Sequence, residues 1–254
     1  FLLTTIINSS DRYVIMFFLG AKYVGIYSIL FTISSLILMI PSVMTTILQP
    51  TLSRLKIEKN ITDLKKSIYT SESIFFGIWT PFLIGGLFYF DRILNFFTNE
   101  FLSGNNTLIF MILVFSSFFN GLMIIRGNIY FAFTETRKML SPIFISSFLN
   151  IILNVLLIYL YESIFFAALS SLISYFISFC IFQYQTIKNY SIKFKIINIK
   201  KIVFSSLLMV SFATMLDFMI LGDTKILLLF KILFSSMVYF FSIYILTRRP
   251  EWNF

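Results

Sequence analysis

The sequence predicts an all-α fold, a polytopic membrane bundle of about eight transmembrane helices. Three observations carry that prediction. Of the 254 residues, 58% are hydrophobic and only 12% are charged, about half the charge of an ordinary soluble domain. Mean hydropathy is +0.91, and apolar runs recur at about 20 residues, the length that crosses a hydrocarbon core of roughly 30 Å. Within each run the apolar residues are continuous, not alternating, which selects helices over barrel strands.

The runs cover roughly 2–19, 24–48, 68–90, 108–131, 142–160, 164–184, 202–221 and 226–246. Breaks fall at Gly20 to Tyr23, the polar run Gln49 to Lys66, Asp91 to Thr107, Thr134 to Ser141, Tyr161 to Ser163, Gln185 to Lys201, and Gly222 to Lys225. The polar run Gln49 to Lys66 reads either as a short surface helix with Asp63, Lys65 and Lys66 at the headgroups, or as a solvated connector. The chain opens inside an apolar run, with no Met, basic leader or small-residue cleavage pattern. The simplest reading is a fragment whose N-terminal part is missing, not a signal peptide.

Charge orients the bundle. Net charge is +9, and 14 of the 20 basic residues fall in the loops after the second, fourth and sixth runs or in the tail. The alternate loops hold Lys22, Arg92 and Lys225 with the acids Asp91, Glu100, Glu162 and Asp223. By the positive-inside rule the first helix runs outward and the C-terminus is cytoplasmic. The basic excess is therefore topology and anionic-headgroup contact, with no case for nucleic acid.

Histidine is absent, which removes imidazole acid–base chemistry, His-activated nucleophiles and His-ligated metals. The lone Cys180 cannot form an intrachain disulfide and reads as a small apolar filler. Without a Gly-rich phosphate loop, paired catalytic carboxylates or a Cys cluster, an enzyme is not expected, nor a bound cofactor or metal.

The chemistry lies in polar residues inside the runs. The first carries Asn8-Ser9-Ser10-Asp11-Arg12, and charge at that depth costs roughly 2.5–3.5 kcal/mol per residue on insertion scales. Thr5, Asn8 and Arg12 share one helical face. Asp11 lies about 100° further round, so acid and base need separate partners. The stretch reads as a polar cavity wall for anionic or sugar groups, or as part of a helix–helix ion pair.

In the third run, Pro81 removes a backbone hydrogen bond and Gly85-Gly86 allows close helix approach. Glu72 there reads as a water-wetted interfacial acid. The fourth run places Ser116, Asn120 and Gly127 on one stripe, with Arg126 either facing a cavity or partnering a buried carboxylate. In the fifth, Ser147, Asn150 and Asn154 read as interhelical packing glue, with substrate contact as the alternative. Ala167-Ala168 and Ser170-Ser171 suit tight packing in the sixth. Asp217 and Lys231, near the outer ends of the last two, read as snorkelling residues, and Asp91-Arg92 as a solvated turn.

Three stretches together resemble the second half of polysaccharide (O-antigen type) flippases of the MATE-like MOP transporter superfamily. The first is Asn8 to Arg12 followed by Leu19-Gly20, Val24-Gly25-Ile26-Tyr27-Ser28, Pro41 and Gln49-Pro50. The second is Thr134-Glu135-Thr136-Arg137-Lys138. The third is Asn150-Ile151-Ile152-Leu153-Asn154 followed by Ala167-Ala168-Leu169-Ser170. The chain departs from the family at Tyr161 to Phe166, where glycines are common.

The resemblance implies helices seven to fourteen of a two-lobed transporter. Residues 1–184 would form the second six-helix lobe, 185–201 a basic cytoplasmic connector, and 202–254 two additional helices and a tail. It implies a flippase that moves a polyprenyl-diphosphate-linked oligosaccharide outward for surface polysaccharide synthesis. Membrane lipids and glycan polymerase machinery would be its partners, and H+ or Na+ its coupling ion. Arg12, Asn8, Asp11, Arg126 and Asn120 become the substrate-binding candidates, with Asn150, Asn154 and Glu72 as structural or secondary polar groups. The alternatives are a cation-coupled drug exporter of the same superfamily and a transport-incompetent fragment.

Overall fold

A computed structural model describes residues 2–97, 106–220 and 225–248; the side chains of residues 2–8, 95–97 and 248 lie outside that description. The fold is all-helical: α1 Leu2–Phe18, α2 Ala21–Ser35, a 3-10 turn Leu36–Leu38, α3 Met39–Ile57, α4 Ile61–Phe88, α5 Phe90–Phe97, α6 Asn106–Ala132, α7 Arg137–Tyr161, α8 Ile164–Tyr190, α9 Ile199–Met219 and α10 Lys225–Arg248. Among the described residues seven helical segments are long and apolar enough to cross a membrane, with Ala21–Ile57 counted as one. The 17-residue α1 stands at the short end of the spanning range.

The helices overrun the expected boundaries wherever the sequence turns polar. The run Gln49 to Lys66 is neither a surface helix nor an open connector, because α3 continues to Ile57 and α4 begins at Ile61. The turn is Glu58 to Asn60. Lys59 takes φ +56°, and Asn60 caps α4 by accepting from the Asp63 N–H at 3.1 Å while donating to the Asp63 carboxylate at 2.7 Å. Caps of this kind satisfy the orphan donors of a first turn, so a helix can protrude into the headgroup zone without an apolar sequence.

Likewise α8 runs into the expected connector as far as Tyr190. Asp91 and Arg92 lie on the amphipathic α5 and not in a solvated turn. Between α1 and α2, Gly20 holds φ +93°, a conformation that side-chain-bearing residues rarely adopt. Expected features at Glu100, Gly222 to Thr224 and the tail from Arg249 lie outside the described residues.

The chain divides into two compact units: residues 1–75 with 104–195, and residues 76–103 with 196–254. Thus α4 is shared in sequence, its second half grouping with α5, α9 and α10. In the first unit α6 is the central helix, packed on α2, α3 and α8, while α7 packs on α8 and α1. Leu113, Val114, Leu122, Ile125 and Ile129 of α6 are buried. A Cβ at Gly121 would strike the Phe75 ring, so glycine there lets α4 approach α6. Ala167, Ala168, Ser170 and Ser171 are buried, and Ser178 Oγ donates to the Pro142 carbonyl at 2.9 Å, tying α8 to α7.

In the second unit α9 and α10 pack together. The Tyr239 hydroxyl donates to the Gly77 carbonyl at 2.5 Å, and Gly85 meets the tip of Met209. Asp217 and Lys231 do not snorkel separately. Lys231 Nζ lies 2.8 Å and Arg92 Nη1 2.6 Å from the same Asp217 Oδ1, with Lys231 only 2% exposed. Two apolar helices leave no water for a lysine at that depth, so a shared carboxylate takes its place.

Candidate functional site

Two buried charge centres and a cavity among four helices lie in the first unit. The first centre is Asp11 on α1, 2% exposed. Its Oδ2 accepts from the Tyr27 hydroxyl at 2.7 Å and Ser171 Oγ at 2.8 Å, and its Oδ1 from Asn154 Nδ2 at 2.5 Å. The donors come from α2, α8 and α7, so one carboxylate gathers four helices. Around it, Ser10 Oγ donates to Asn150 Oδ1 at 3.0 Å, and Asn150 Nδ2 donates to Ser171 Oγ at 3.1 Å. Asn154 Nδ2 is shared with Asn150 Oδ1 at 3.2 Å, while Asn154 Oδ1 has no hydrogen-bond partner.

Asn150 and Asn154 are therefore interhelical hydrogen-bonding residues, one turn apart on the α7 face that meets α1. Every described hydrogen-bond donor to Asp11 is neutral, and no described salt bridge includes it. An isolated carboxylate is costly away from water. A proton, or a monovalent cation held by the Asp11, Asn154 and Ser171 oxygens, would remove that cost.

Arg12, the next residue, points elsewhere. Its guanidinium lies over the Phe31 ring at 5.1 Å, and its Nε has no hydrogen-bond partner. Helical geometry thus separates the neighbouring acid and base as the sequence requires. The side chain of Asn8 lies outside the described residues.

The second centre pairs Arg126 Nε with Glu72 Oε1 at 2.5 Å, both side chains fully buried. Arg126 Nη1 donates to Thr186 Oγ1 at 2.8 Å, and the rings of Phe179 and Phe194 each lie 5.8 Å from its guanidinium carbon. Of the two readings open for Arg126, the structure shows the partner of a buried carboxylate and not a cavity-facing cation. Glu72 is correspondingly not a water-wetted interfacial acid. The residues lie on separate helices, 54 apart in sequence, and burial makes each the remedy for the other's charge.

A cavity of about 400 Å³ lies among α3, α6, α7 and α8, with Asn120, Asn128, Thr45, Ser146 and Tyr175 in its wall. Asn120 therefore lines open space. Asn128 donates to Thr45 Oγ1 at 3.2 Å, and its Oδ1 has no hydrogen-bond partner. At the α6–α7 turn, Lys138 at 2.8 Å and then the Tyr190 hydroxyl hold the Glu135 carboxyl below the usual range.

Sequence reasoning missed Tyr27, Ser171 and Thr186. Tyr27 sits in the Gly25-Ile26-Tyr27-Ser28 stretch, and nothing local sets it apart from the other hydroxyls of α2, Tyr23, Ser28, Thr32, Ser34 and Ser35. Ser171 carries only a small-residue signal, and Thr186 falls in a polar stretch that reads as connector.

The fold is similar to that of a lipid II flippase, MurJ, solved in an inward closed conformation. TM-score is 0.68 and sequence identity 22%, over 97% of this chain and 52% of that one. The chain thus spans about half the length of that structure. No family model matches the sequence, and no curated protein matches it.

Proposed function

We propose that this chain is the second lobe, with two further helices, of a flippase. It moves a polyprenyl-diphosphate-linked oligosaccharide from the cytoplasmic to the outer leaflet, where glycan polymerase machinery takes it up. One observation carries the reading: Arg12 lies within the first apolar run and holds a half-buried guanidinium over Phe31, in no described ion pair. Guanidinium forks match phosphate oxygens in pairs, so Arg12 is the group that meets the diphosphate. The shared fold with a lipid II flippase supports a lipid-linked substrate.

Asp11 supplies the coupling. A proton or sodium ion bound there cancels the carboxylate's charge, and its release leaves a bare charge among neutral dipoles. The packing of α1 on α7 and α8 then depends on the ion, which is what a coupled transporter requires. A drug exporter for cationic substrates would need accessible acid. Here Asp11 is enclosed, Glu72 is matched by Arg126, and the accessible mid-membrane charge is the cation Arg12.

The test reconstitutes the protein carrying this sequence in liposomes with a labelled polyprenyl-diphosphate oligosaccharide and reads the label's exposure to an external lectin. Arg12→Ala is expected to lower flipping at least tenfold, with partial rescue by Arg12→Lys. Equal rates for both variants and the parent would remove Arg12 from the mechanism.

A further inference from the structure

A second cavity, of about 610 Å³, lies between α3 and α4. It exists because α3 packs on α6 and not on α4, so two helices joined by the short turn Glu58 to Asn60 splay apart above it. Its lining grades from polar to apolar along both walls, with Leu55 and Asp63 also at the polar end. On α3 the order runs Met44, Ile47, Thr51, Arg54; on α4, in reverse chain direction, it runs Ile74, Ser71, Ser67, Lys66. The apolar and cationic ends of each wall are separated by ten residues on α3 and eight on α4, about 15 Å and 12 Å at helical rise. Cations, then hydroxyls, then hydrocarbon is the order of a phosphate headgroup, its ester region and an acyl chain.

The charges at the mouth are available. Arg54 has only a loose exposed pair with Glu58 at 3.7 Å, a contact of little worth. Lys66 makes no ion pair among the described residues. Asp63 also lines the mouth, but its carboxylate is engaged by Asn60 at the α4 cap. At the deep end Ile47 is 69% and Ile74 48% exposed, so the apolar walls face whatever fills the groove. The positive-inside distribution puts this basic end in the cytoplasmic leaflet.

We propose that this groove binds one anionic glycerophospholipid of the cytoplasmic leaflet, its phosphate between Arg54 and Lys66 and an acyl chain along Met44, Ile47 and Ile74. Two cations tempered by Asp63 and the loosely paired Glu58 suit a singly charged phosphodiester better than a diphosphate. The walls carry no amide or aromatic side chain that would read a saccharide. The site is independent of what the protein transports.

Native mass spectrometry of the purified protein, titrated with phosphatidylglycerol or phosphatidylcholine, tests it. Phosphatidylglycerol is expected to be retained in preference to phosphatidylcholine. Arg54→Gln/Lys66→Gln is expected to weaken that binding about thirtyfold, the effect of two headgroup cations. Lys59→Gln/Lys65→Gln removes the same charge outside the groove and is expected to leave the preference intact, and Ile74→Trp is expected to exclude the chain and weaken binding similarly. Equal losses in the two charge variants would reduce the site to diffuse surface potential and overturn the proposal. So would an unaffected Ile74→Trp, equal retention of the two lipids, or competition by inorganic phosphate alone at the lipid's concentration.

Discussion

Asp11 and the Arg126–Glu72 pair are both buried charges in the same unit, and they are stabilised in opposite ways. Arg126 answers Glu72 with a full charge at 2.5 Å, whereas Asp11 is met by a phenol, an amide and a hydroxyl. A charge matched by a charge has no use for a mobile ion and serves as a fixed fastener between α4 and α6. A carboxylate held by neutral dipoles carries no built-in counter-charge, so a bound proton or cation is the change that would alter its energy. Burial alone does not mark a functional charge; the kind of partner does.

The largest effect should come from breaking the matched pair. Glu72→Ala leaves a buried guanidinium and is expected to cost about 3–5 kcal/mol, read as a fall in thermal unfolding temperature. Replacing both residues by Met should recover most of that loss, which would establish the pair as fastening and not function. A smaller loss is expected at the shared carboxylate of the other unit. Asp217→Asn strips Lys231 and Arg92 of their counterion and should cost about 2 kcal/mol, below a fully buried case because Arg92 and Asp217 are partly exposed.

Around Asp11 the effects should be gentler. Asn154→Ala removes one interhelical donor and is expected to cost about 1 kcal/mol in unfolding measurements. Asp11→Asn should change stability least of all, because Asn154 can turn its unpartnered Oδ1 toward the new amide. That variant should nevertheless lose any dependence of unfolding temperature on sodium or pH that the parent shows in this centre. A large loss of stability in Asp11→Asn, with the ion dependence retained, would erase the contrast between the two centres.

How much of this was legible in the chain varies by element. Eight apolar runs foretold the membrane helices, because a bilayer requires continuous hydrophobicity that composition alone reveals. Polarity hides helix ends, as at Gln49 to Lys66, since a helix outside hydrocarbon needs only caps. Asn8 to Arg12 announced an expensive cluster, and helical geometry already required Asp11 and Arg12 to part.

By itself the sequence determined the solvent of this protein and, to within the short α1, the number of its long apolar helices. These follow from local composition and from a period of 3.6 residues. Only the tertiary structure decided the partners: Arg126 with Glu72, Asp11 with Tyr27, Asn154 and Ser171, and Lys231 with Asp217. Those choices depend on which helix faces meet across as many as 160 residues of chain, and no local pattern encodes that distance.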